Sequence, residues 1–205
     1  MDVQNPNATT TLEELAKNPE VVGVRLHPTE RSPGSDPLAI WRKAAELSLP
    51  VSCFPRTAEH IADDGFQSLV EEIPNCTIVL EHLAGAYRPL SPPSVTAPYG
   101  DYKKALTLAR FPNTYIKFGG LGEFCVRRVP LEAQFGFDDV PPLMEMAYEA
   151  FGAKRMMWGS DYPPVGGREG YRNSLQNVLE YPVFKTQDEK DWAFGKAAME
   201  VFKLA

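Results

Sequence analysis

The stretch Met156-Met157-Trp158-Gly159-Ser160-Asp161-Tyr162-Pro163-Pro164 decides how the chain is read. Three large apolar residues run into two small ones, then a carboxylate, then two prolines that forbid a strand to continue. A buried parallel strand delivers an acid in this way at its C-terminal tip, the end at which α/β folds keep their chemistry. Asp161 is therefore the first candidate catalytic residue, and its role depends on what the other strand tips supply.

Working outward, four earlier apolar runs read as strands: residues 21–26, 50–54, 77–80 and 113–118, with 155–158 the fifth. Between them lie helical patterns, one starting near Asp36-Pro37, one rich in acid over 63–72, then 101–110 and 140–151, with two more before residue 205. Strands alternating with helices predict right-handed βαβ units and a parallel sheet covered on both faces. The strands are apolar throughout, as buried parallel strands are. Two long loops, 84–100 and 120–139, follow strand ends, where long loops tend to carry function. With 205 residues and no internal repeat, the chain is expected to form one domain over 1–205.

The composition excludes several classes of function. The net charge is −6 and no basic run occurs, which argues against nucleic acid or an anionic membrane surface as partner. No apolar stretch approaches the roughly 20 residues needed to cross a bilayer. Three scattered cysteines, Cys53, Cys76 and Cys125, fit neither a disulfide framework nor a zinc ribbon, and a reduced, cytoplasmic setting is expected. None has a neighbouring base, so thiol catalysis has little support.

His82 ends the third strand in Ile78-Val79-Leu80-Glu81-His82-Leu83-Ala84-Gly85. Counting by twos puts Ile78, Leu80 and His82 on one face. A core histidine is the plain alternative, but His82 shares its strand-end position with Asp161, and such a pair suits divalent-metal binding or acid–base work. Arg25 ends the first strand and Arg31 lies in the loop beyond. Two guanidinium groups near one strand mouth suggest either a carboxylate-bearing substrate or pairing with one of the chain's own acids. His27, before a proline, is either a site residue or an ordinary loop residue. Lys117 sits unusually inside an apolar strand, facing the pocket or pairing structurally. Arg168 and Tyr171, after the Asp161 loop, line the substrate side or only open the next helix. Glu123 is a weaker candidate, and His60 reads as a solvated helix-start residue.

Val24-Arg25-Leu26, Glu81-His82-Leu83-Ala84-Gly85, Ile116-Lys117-Phe118-Gly119-Gly120 and Trp158-Gly159-Ser160-Asp161-Tyr162-Pro163, in this order, resemble the amidohydrolase-2 family. The resemblance covers nearly the whole chain and implies a (β/α)8 barrel fold, with the five strands matching the fourth to eighth of the barrel and Asp2-Val3-Gln4 the tip of the third. It implies that His82 is a metal or substrate-water ligand, that Asp161 is the base that activates water, and that Arg25 and Arg31 clamp a substrate carboxylate. The expected cofactor is a divalent metal, zinc or manganese, held by His82 and Asp161, or none. The expected activity is hydrolysis of a carboxylated lactone, ester or amide, with Arg25, Arg31, His27 and Arg168 on the substrate. Non-oxidative decarboxylation and a non-catalytic remnant are the alternatives. The family's first-strand His-x-His is absent, and the fifth barrel strand ends Ser52-Cys53-Phe54 without a histidine. Five strands leave two open sheet edges, so association with another copy is expected.

Overall fold

The computed structural model describes residues 2–87, 95–125, 137 and 139–204. Five strands form one sheet: β1 Val24–Leu26, β2 Val51–Cys53, β3 Ile78–Leu80, β4 Thr114–Phe118 and β5 Met156–Trp158. Every neighbouring pair is parallel, and spatial order equals chain order. That order is the arc of a barrel; a doubly wound sheet would reverse at a switch point. Each strand lies within the expected run, trimmed by one to three residues. Among the described residues β1 and β5 each pair on one side only.

The two faces of the sheet have different tasks. Leu26, Cys53, Leu80, Phe118 and Met156 point to the outer face and join the main core with the covering helices. On the inner face, register places Arg25, Ser52, Val79 and Tyr115 in one row, and Lys117 beside Met157 in the next. Val79 and Met157 pack with Ala197 and Val201 of the C-terminal helix Ala197–Phe202 in a second, small cluster. The strands are therefore apolar outside and mixed inside, which corrects the expectation of strands apolar throughout. Arg25, Ser52 and Lys117 are tolerated because the inner face opens into a cleft at the strand tips.

The covering helices follow the sequence with local shifts. The helix near Asp36-Pro37 runs from Ala39 to Glu46, two residues late, because Asp36 first accepts a bond from the Leu38 amide at 3.0 Å. The acidic segment expected over 63–72 forms the helix Asp64–Glu72, capped by the Asp63 carboxylate through the Gly65 and Phe66 amides, and a short helix, Ala58–Ala62, precedes it. Asp2-Val3-Gln4 does not form a strand tip: Val3 and Gln4 lie in a turn before the helix Ala8–Leu15. That helix has a weak, threonine-rich sequence and no side-chain cap, so only the burial of Ala8 and Leu12 reveals it. The loop segments 88–94, 126–136 and 138, within the two long loops, lie outside the described residues. No described helix is long and apolar enough to cross a membrane.

Phe118 ends β4 fully buried between the Phe184 and Phe194 rings, at 5.7 and 5.6 Å. Phe118→Ala should cost about 3–5 kcal/mol in urea unfolding. Met199→Ala, on the exposed side of the C-terminal helix, should change stability by less than about 0.5 kcal/mol.

Candidate active site

The parallel sheet delivers Arg25, Glu81, His82, Lys117, Gly159 and Asp161 to one cleft of about 260 Å³, together with Glu123. Two polar clusters make up its floor and wall.

The first cluster surrounds Glu81. Its Oε2 accepts from Arg25 Nε and Nη2 at 2.8 and 2.6 Å, and its Oε1 from Ser52 Oγ at 2.6 Å and Lys117 Nζ at 3.0 Å. Burial alone would raise the Glu81 carboxyl, but the Lys117 ammonium and the bonds from Ser52, Lys117 and Arg25 carry it down to about 2. Two cations share one carboxylate, so this end of the cleft carries one unmatched positive charge. The Arg25 side chain is 58% exposed and lies over the Phe54 ring.

The second cluster contains His82, Glu123, Asp161 and Arg168. Strand alternation does not place His82, because β3 ends at Leu80. His82, Leu83 and Ala84 then take left-handed φ values of 52, 48 and 54°. This turn costs energy for residues with a Cβ, and strain of this kind gathers at functional sites. It rotates His82 into the cleft next to Glu81, where its ring stacks between Phe54 and Tyr87. Asp161 is left-handed too, at φ 52°, a conformation that aspartate accepts comparatively readily. His82 Nδ1 lies 3.4 Å from Glu123 Oε1, and Asp161 Oδ2 accepts from Arg168 Nη1 at 2.7 Å. Burial disfavours the imidazolium, yet Glu123, Asp161 and Glu81 outweigh it and hold the His82 pKa above its ordinary value.

Glu123 and Glu169 are buried because Gly119, Gly120 and Gly122 leave room for their carboxylates; a Cβ on any of the three would collide with one of them. Gly122 N–H donates to Glu169 Oε1 at 3.3 Å, and burial raises the Glu169 carboxyl.

His82, Glu123 and Asp161 each offer a ligand atom, all within 4.8 Å of one another. One imidazole and two carboxylates suit zinc or a similar divalent ion in a three-ligand catalytic site. Glu123 Oε2 is buried without a hydrogen-bond partner, as a ligand atom awaiting a cation would be. The residues present fit a metal.

The remaining candidates fall elsewhere. Arg31 donates to the Pro28 and Glu30 carbonyls at 2.9 Å and braces the loop after β1. His27 bonds Thr29 and packs edge-on against His60, a helix-start residue that is half-buried. Neither Arg31 nor His27 lines the cleft. Tyr171 opens the helix Tyr171–Glu180 against Trp158. Glu81 was missed in the sequence; the signal was two cations, Arg25 on β1 and Lys117 on β4, in one parallel sheet without an assigned acid.

The folded-state value of Glu81, about 2, lies below its ordinary 4.5. Its contribution is therefore complete above pH 4.5 and disappears as pH falls from 4.5 towards 2. Glu81→Gln should be less stable than wild type at neutral pH by on the order of 3 kcal/mol. Urea unfolding across acidic pH should show that gap narrowing; a constant gap would remove Glu81 from the account.

A family model of amidohydrolases matches residues 1–204. Among solved structures, an amidohydrolase from Burkholderia multivorans with bound zinc is 18% identical, with 100% of this chain and 72% of that one covered and a TM-score of 0.74. A Pseudomonas putida protein proposed to be a 2-pyrone-4,6-dicarboxylic acid hydrolase is 16% identical, covering 100% and 70%, with a TM-score of 0.67. Amidohydrolase 2 from Bifidobacterium longum subsp. infantis is 19% identical, covering 90% and 62%, with a TM-score of 0.63. The chain thus spans somewhat under two thirds of the length of the Bifidobacterium protein. No curated protein sequence matches. At these identities the structures establish the fold, with the five parallel strands forming part of an amidohydrolase TIM barrel. The family model carries the assignment further: this chain, with Asp161 at the tip of its last strand, belongs to the amidohydrolase family.

Proposed function

We propose that the chain carries the catalytic cleft of a hydrolase acting on a carboxylated lactone, ester or amide, with water activated by Asp161. One observation supports this reading above the others: the cleft is bipolar. Its Arg25–Lys117 end has a surplus positive charge for a substrate carboxylate, and its other end gathers a histidine and two carboxylates for the reacting carbonyl.

Arg168 engages Asp161 Oδ2, so Oδ1 is the oxygen that takes the proton from the attacking water. His82 Nδ1 is directed to Glu123, which leaves Nε2 to donate to the substrate carbonyl, and the elevated pKa favours the donating form. Arg25 binds the substrate carboxylate, and Lys117 supports it through Glu81. Arg31 and His27 brace the loop that follows Arg25. In the metal-bound form His82 would instead hold a divalent metal, zinc or manganese, with Glu123 and Asp161, and the ion would supply the Lewis-acid polarisation of the carbonyl in place of the imidazole. The substrate is a small molecule, recognised by charge at one end and by an electrophilic carbonyl at the other.

Hydrolysis of a panel of carboxylated lactones by the purified protein tests the proposal. Asp161→Asn should lower kcat by at least about a hundredfold while circular dichroism shows the protein still folded. Arg25→Met should chiefly raise KM for carboxylated substrates and leave their uncarboxylated analogues unaffected. Equal turnover by Asp161→Asn and wild type would refute the assignment of the base.

A further inference from the structure

We propose that Arg168 is a built-in cation that competes with a divalent metal for the carboxylates of Asp161 and Glu123. The inference rests on the proposed metal role of His82, Glu123 and Asp161 and goes beyond it.

One guanidinium faces three acids. Nη1 bonds Asp161 Oδ2 at 2.7 Å, Nη2 lies 3.6 Å from Glu123 Oε1, and Nε lies 3.6 Å from Glu169 Oε2. Only the first of these is a hydrogen bond. Arg168 Nε and Nη2 are buried without hydrogen-bond partners, and so are Glu123 Oε2 and Glu169 Oε2. The guanidinium therefore supplies charge to the cluster but does not satisfy its donors and acceptors. A small dication closes carboxylate oxygens to about 2.0–2.2 Å, which no guanidinium can do.

The electrostatics set the two occupants against each other. Asp161 and Glu123 are the two anions whose ligand atoms lie within 4.8 Å of each other and of His82. Arg168 already holds one and faces the other, so an ion entering there would meet a guanidinium on the same two carboxylates. Like charges in a partly buried site repel strongly, so metal binding and the Arg168 contact oppose each other. Arg168 is the one able to move: its side chain is 25% exposed, and Gly170, at φ 81°, gives the segment a backbone turn open to few other residues. Glu169 stays behind, its carboxylate seated against Gly120 and Gly122. In this arrangement Arg168 keeps Asp161 oriented when metal is scarce and weakens metal binding by the cost of its own displacement.

Calorimetric titration of the metal-stripped protein with zinc, and separately with manganese, tests the competition without reference to turnover. Arg168→Gln should bind metal about tenfold or more tightly than wild type, the equivalent of losing one charge-assisted hydrogen bond. Arg168→Lys, which returns the charge, should bind close to the wild-type level, and Asp161→Asn should bind weakly. In wild type selectively labelled at arginine Nε, zinc should shift the Arg168 resonance, identified by its absence in Arg168→Lys. This measurement needs no variant of altered charge to fold. Equal affinity of wild type and Arg168→Gln, or an unmoved Arg168 resonance on saturation with zinc, would overturn the competition and leave the metal role of the trio standing. No binding by wild type and Arg168→Gln alike would overturn both.

Discussion

Parallel pairing in chain order is the constraint on which everything else depends. Because β1 to β5 run in one direction and lie side by side, every strand tip opens at the same end. Residues from position 25 to position 161 can then share a cleft although they come from four separate stretches of the chain. The same pairing divides the side chains into an outer apolar face and an inner mixed one, and only the inner face carries Arg25, Ser52 and Lys117.

The polar inner face holds together through Glu81. A buried carboxylate, a lysine and an arginine are each costly in a sheet. Together, with the Ser52 hydroxyl, they satisfy one another and leave a surplus positive charge at the cleft. The second cluster uses the opposite balance, with three acids around Arg168 and His82. The glycines at 119, 120 and 122 make that crowding possible, since any side chain there would occupy the space of a carboxylate. A substrate with separated charge and electrophile fits between the two clusters.

Much of the site was legible in the chain, for reasons that lie in particular residues. Asp161 announced itself because prolines end its strand, and Arg25 because a cation closes an apolar run. His82 was found for an incomplete reason. Strand alternation pointed to it, but a left-handed turn after Leu80 is what brings it into the cleft, and three φ reversals have no signature in Leu-Ala. Glu81 and Glu123 were undervalued for the same cause: a carboxylate's role depends on which cations face it, and those lie on other strands.

The sequence alone determined the alternation of strands and helices, the positions of the strand tips, and the chemistry available there, because these follow from local periodicity and from residues that stop a strand. Only the tertiary structure decided which charges meet. It assigned Glu81 to Arg25 and Lys117, and Arg168 to Asp161 and Glu123, across separations of 56, 36, 7 and 45 residues. Ion pairs act over a few ångströms of space and carry no period along the chain, so they become readable only once the sheet has closed its strands side by side.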